Sequence, residues 1–117
     1  MSLLIKFDQS KLGTPVTRKC DPEKLVEGDP TYSTWAFDDA RNGEVITGIW
    51  EATPGSNHSI KGEKFEFCHL FEGVVELTEQ GQEPRIFRKG DSFMMKPGYV
   101  GIWKTIETVR KIYVIVG

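Results

Sequence analysis

Along this chain apolar residues alternate with polar ones or gather in short runs, and Gly, Pro or Asn breaks the pattern at intervals of about ten residues. A period of two predicts strands with one buried and one wet face. The segments richest in β-branched and aromatic residues are Leu3–Phe7, Tyr32–Phe37, Glu44–Glu51, Lys64–Leu70, Val74–Thr78, Arg85–Arg88, Ser92–Met95, Tyr99–Lys104 and Thr108–Val116. Turn chemistry separates them at Arg41-Asn42-Gly43, Thr53 to Asn57, Glu72-Gly73, Gln80-Gly81-Gln82, Lys89-Gly90-Asp91 and Lys96-Pro97-Gly98. The one helical signal is Asp21 to Gly28, where Asp caps, Pro22 suits the first position and Gly28 closes one or two turns. With no helix long enough to connect parallel strands, the expected fold is all-β, an antiparallel sandwich or barrel.

Composition narrows this picture without redirecting it. A chain of 117 residues suits a single domain, divided here into an N-terminal strand arm and loop over residues 1–43 and a barrel core over 44–117. Fifteen basic residues against seventeen acidic ones give a net charge of −2, and the basic residues are scattered. Neither nucleic acid nor an anionic membrane is therefore an expected partner. The longest unbroken apolar run, Tyr113 to Val116, is far too short to span a bilayer, and the N-terminus carries no signal-peptide core, so the expected location is cytoplasmic. Cys20 and Cys68 stand alone, which leaves no paired-cysteine redox motif or zinc knuckle, and both read as reduced thiols.

From Gly48 onward the spacing becomes specific: Gly48 to Gly55 reads Gly-Ile-Trp-Glu-Ala-Thr-Pro-Gly, and six residues separate Glu66 from Gly73. Gly90-Asp91, Pro97-Gly98, Gly101-Ile102-Trp103 and Arg110-Lys111-Ile112-Tyr113 follow. Over about residues 44–116 this resembles the cupin superfamily, and more closely the small single-domain cupins related to the cupin domain of (S)-ureidoglycine aminohydrolase. The resemblance implies a jelly-roll barrel, and in metal-binding members a His-x-His pair, a Glu and a later His. Glu66 matches that Glu, whereas the paired histidines fall on Ser59 and Lys61 and the last on Gly101. His58 lies one position off, where a register shift or bulge would bring it inward. Even so, His58 and Glu66 make two ligands where a catalytic metal needs about three. No metal and no cofactor are therefore expected, and the metal-dependent aminohydrolase chemistry of the family loses its support.

Parity along Lys64–Leu70 sends Glu66, Cys68 and Leu70 to one side and His69 to the other. The candidate pocket comprises Trp50, His58, Glu66, Cys68, Phe93, Met95, Gly101, Trp103, Lys111 and Tyr113. Each has a plainer reading. Glu66 is either a pocket carboxylate, and then the one catalytic candidate, or a half-buried partner of a cation. Cys68 reads as a small buried hydrophobe rather than a nucleophile. Phe93, Met95 and the tryptophans either line a ligand site or fill the core, and Gly101 opens room where a His would stand. Lys111 is either a solvent-facing residue at a strand start or the partner of Glu66 across the pocket. Asp38-Asp39 reads as part of a solvated turn.

Three functions are compatible with these residues. The first is a metal-poor cupin that binds a small polar or organic molecule in its barrel. The second is a ureidoglycine aminohydrolase-like enzyme acting on a nitrogen-containing metabolite, with Glu66 as acid or base. The third is a structural or regulatory dimerisation module, since a Leu3–Phe7 strand would leave an unpaired edge that favours a homodimer.

Overall fold

The alternation becomes strand pairing in the computed structural model, which describes residues 2–117. Nine strands form: β1 (Val16–Lys19), β2 (Leu25–Gly28), β3 (Thr31–Ala40), β4 (Val45–Ala52), β5 (Gly55–Ile60), β6 (Phe65–Glu79), β7 (Arg85–Arg88), β8 (Ser92–Met95) and β9 (Val100–Val116). All pairings are antiparallel. β6 and β9 run together along almost their whole length, from Phe65 opposite Val116 to Glu79 opposite Gly101. On the far side of β9, β4 pairs with Val109–Val116 and β5 with Val100–Thr105. On the far side of β6, β8 pairs with Glu66–His69 and β7 with Val74–Leu77. Two long strands shared by short ones at both ends curl the sheet into a jelly-roll barrel.

The curl has a local cause. Between Leu70 and Val75 the β6–β9 register slips three times, and Gly73 sits there at φ 90°. A Cβ on Gly73 would come within 2.6 Å of the Val109 Cα, so only glycine lets the two strands bend together. Across this bulge the buried parity of β6 switches from Glu66, Cys68 and Leu70 to Val75 and Leu77. β9 keeps its parity, burying Gly101, Trp103 and Thr105, then Val109, Lys111 and Tyr113. Both halves of each strand thereby face one interior, where Cys68, Leu70, Val75, Leu77, Trp103 and Val109 pack together.

Several expected elements are corrected. The segment from Asp21 to Gly28 is not a helix: one turn closes with the Lys24 N–H donating to the Asp21 carbonyl at 2.9 Å, and Leu25–Gly28 is strand β2 against β5. A helix this short is marginal, and the cross-strand ladder overrides its cap. Leu3–Phe7 forms no strand, and the role of the first strand falls to β1, which pairs with β3. Leu3 and Leu4 are exposed. Glu72-Gly73 is a bulge inside β6 rather than a turn, and Gly55 to Asn57 belongs to β5 rather than to a loop. Asp38 and Asp39 are exposed as expected but lie on β3. Among the described residues no helix is long and apolar enough to cross a membrane.

Candidate functional site

Glu66 is set inward on β6, beside Met95 of β8 in register, and it is only 2% exposed. A carboxylate at that depth requires compensation. Two lysines supply it. The Lys111 Nζ, reaching inward from β9, donates to Oε2 at 2.6 Å, and the Lys61 Nζ, just beyond the end of β5, donates to Oε1 at 2.6 Å. The Cys68 thiol donates to Oε2 at 3.2 Å. Lys111 is also held from above, with its Nζ 4.5 Å from the centre of the Trp50 ring and 4.6 Å from that of Trp103. Those rings meet edge to face at 5.3 Å, so the ammonium is sheltered by aromatic faces where water would otherwise stand. Trp50 stands opposite Lys111 in the β4–β9 register, which fixes the contact.

Burial alone would raise the Glu66 pKa, but the charges and hydrogen bonds of Lys111 and Lys61 outweigh it and pull the carboxyl down to about 2. Glu66 is ionised at neutral pH. Burial likewise penalises the Lys111 ammonium, and the adjoining Cys68 sulfur and Glu66 carboxylate overcome it, so the lysine is held above its ordinary value. Burial pushes the Cys68 thiol up to about 12, which keeps it protonated and unreactive at neutral pH.

The triad forms part of the wall of a cavity of about 340 Å³, a size within the small-molecule range. Trp50, Met95, Trp103, Ile46 and Ile115 give it apolar walls, with Tyr113 beside them. Lys61, Asn57, Ser59, Thr34 and Arg18 give it polar ones. A larger cavity of about 650 Å³ lies between the β7–β8 region and the Lys96-Pro97-Gly98 turn, but no buried charge cluster faces it. The buried charges lie on the smaller one.

Of the residues singled out from sequence, Trp50, Glu66, Met95, Trp103, Lys111 and Tyr113 are brought together on the smaller cavity. Cys68 sits behind Glu66, fully buried in the core. His58 is corrected: β5 keeps its register, so Asn57 and Ser59 face the cavity while the His58 side chain is exposed on the other side. Phe93 lines the larger cavity, its ring 4.7 Å from Phe87 and 6.0 Å from Trp103. Gly101 is buried but opens no room, because the Tyr99 ring occupies the space and a side chain there would also meet the Thr78 carbonyl oxygen at 2.6 Å. Sequence reasoning missed Lys61 as a participant. Its signal was present in its alternation with Asn57 and Ser59, two residues apart along an inward face, but Lys61 was weighed only as a mismatch to the histidine pattern.

The divalent metal that the cupin resemblance brings with it does not fit these residues. Ser59 and Gly101 stand opposite each other in the β5–β9 register where two of the histidines would fall, and Lys61 takes the place of the third. Both oxygens of the one carboxylate are already engaged by ammonium groups, which would repel a second cation. Among the described residues no cluster of three or more His, Cys, Asp or Glu side chains is arranged to hold a metal.

The model of the EutQ-like cupin domain matches residues 40–113, the segment that carries β4 through most of β9 and with them Trp50, Glu66 and Lys111. The chain belongs to this family of EutQ-like cupin domains. Solved cupin relatives share its fold. A protein of unknown function in the DUF861 family from Pseudomonas syringae pathovar tomato superposes with a TM-score of 0.81 at 24% identity, over 93% of this chain and 46% of that one. The EutQ protein of Clostridium difficile gives 0.64 at 14% identity, over 74% of this chain and 63% of that one. A DUF861 family protein from Thermotoga maritima is 32% identical, with a TM-score of 0.52 over 56% of this chain and 73% of that one. The chain therefore spans about half of the first structure and less than two thirds of the second. No curated protein matches the sequence.

Proposed function

We propose that this cupin domain binds a small organic molecule in the cavity between Trp50, Trp103 and Lys61, without a divalent metal. The observation that carries this reading is the buried Lys61–Glu66–Lys111 cluster, with both ion pairs at 2.6 Å, set into the wall of a cavity with aromatic and aliphatic residues on one side and polar ones on the other. Buried charges are costly, and a fold concerned only with stability does as well with apolar residues of similar volume. Apolar walls with a few convergent polar groups are the usual make-up of a ligand site. An aminohydrolase-type reaction with Glu66 as acid or base has weaker support. A carboxyl held near a pKa of about 2 is a poor proton acceptor at neutral pH and is not protonated there to act as a donor.

A fragment screen read by NMR tests this. Binders are expected to shift the side-chain resonances of Trp50, Trp103 and Tyr113. A screen in which every binder shifts only residues of the larger cavity, such as Phe87 and Tyr99, overturns the assignment, as does a screen with no binders.

A further inference from the structure

The three charged groups of the buried cluster do not balance. Two ammonium groups face one carboxylate, and Arg18 adds a third cation at the cavity rim. No other lining residue of this cavity is acidic, so its wall carries a net positive charge. An excess charge in a partly desolvated site favours a counter-ion as its occupant. We infer that the ligand is a small monocarboxylate with an apolar body, its carboxylate set against Lys61 and its body against the tryptophans.

The division of labour follows from hydrogen-bond capacity. An ammonium has three donors. Lys111 donates to Glu66 and lies against the faces of Trp50 and Trp103, and with its side chain 8% exposed it offers the cavity less of its surface than Lys61 does. Lys61 gives one donor to Glu66, and its side chain is 18% exposed at the cavity wall, so its remaining donors are free for a ligand oxygen. Glu66 thus orients Lys61, while Lys111 supplies the second positive charge that faces Glu66. A cationic ligand would meet two ammonium groups that share a single carboxylate. A fully polar anion such as phosphate would satisfy Lys61 but leave Ile46, Ile115 and Met95 without an apolar partner.

This inference rests on the pocket reading above, and the test separates the two. Phenylacetate, phenylacetamide, phenethylamine and inorganic phosphate are titrated into the wild-type domain and into Lys61→Gln, with Trp fluorescence and calorimetry as readouts. Phenylacetate is expected to bind at least tenfold more tightly than the isosteric amide and than phosphate, with no measurable binding of the amine. In Lys61→Gln the preference for carboxylate over amide is expected to fall at least fivefold, and a preference that stays at its wild-type value overturns the assignment of the carboxylate to Lys61. Equal affinity for acid and amide overturns the carboxylate inference and leaves the pocket reading standing, as does binding of phosphate as tight as that of phenylacetate. Failure of all four probes, together with a fragment screen silent at Trp50 and Trp103, overturns both. Lys61 is the more accessible lysine, and if its variant fails to fold, the acid-to-amide ratio of the wild type still decides the question.

Discussion

Arg110 and Lys111 are neighbours on β9, point to opposite sides of the sheet, and make the same two contacts. Each forms an ion pair of 2.6 Å with a glutamate, Arg110 with Glu51 and Lys111 with Glu66. Each also lies over tryptophan, Arg110 at 5.0 Å from the Trp35 ring centre and Lys111 at 4.5 Å from that of Trp50. They differ in the second charge nearby, Glu72 at 4.0 Å from Arg110 and Lys61 at 2.6 Å from Glu66, and in water. The side chains of Arg110 and Glu51 are 31% and 23% exposed, those of Lys111 and Glu66 8% and 3%. On the outer face solvent screens the charges, and either partner can be hydrated when the other is removed. On the inner face each charge depends on its partner, so one pattern of contacts is dispensable on one side of a strand and obligatory on the other.

The sharpest way to break this comparison is Glu66→Gln. The substitution preserves shape but leaves Lys111 buried without a counter-charge, and a loss of about 3–5 kcal/mol in urea unfolding is expected. Adding Lys111→Met to Glu66→Gln removes the stranded ammonium and is expected to recover most of that loss. A single-variant loss below about 1 kcal/mol would place the inner pair in the same class as the outer one. The smallest effect belongs to Glu51→Gln. The screened Arg110 pair is expected to contribute about 0–1 kcal/mol, with ligand affinities at the cavity unchanged, and a loss comparable to that of Glu66→Gln would erase the distinction drawn from burial.

The strands of the barrel were legible wherever apolar alternation was strong, as in β4, β7, β8 and the two halves of β6 and of β9. The continuity of those halves was not. Glu72-Gly73 carries turn chemistry, and only the long-range pairing of β6 with β9 turns it into a bulge. β5 was hidden for a different reason, since Gly55-Ser56-Asn57-His58-Ser59 has the composition of a loop and is made a strand by β9 and β2 on either side. At the site, parity put Glu66 inward because period two is a local rule, but it left Lys111 between solvent and a pair with Glu66, which the long-range pairing of the strands decides. It misjudged Gly101, where the side chain that fills the space comes from Tyr99 two residues away and no spacing rule foretells it. Phe93 went to the larger cavity for a related reason: β8 is shared between the two, and alternation cannot say which of them an inward residue serves.

The titration of Glu66 itself tests the central claim most directly, followed through its side-chain carboxyl carbon by NMR from neutral pH into acid. Its pKa is lower in the folded protein than the ordinary glutamate value of 4.5, so its stabilising contribution is fully present above that value and is lost as pH falls towards about 2. The account predicts that Glu66 remains ionised at pH 3.5 in the folded domain, with a midpoint near 2 and a stability that falls most steeply between 4.5 and about 2 and levels off below. A midpoint at or above 4.5 would show that the two lysines do not compensate the buried carboxylate, and the internal cation on which the site is built would be contradicted.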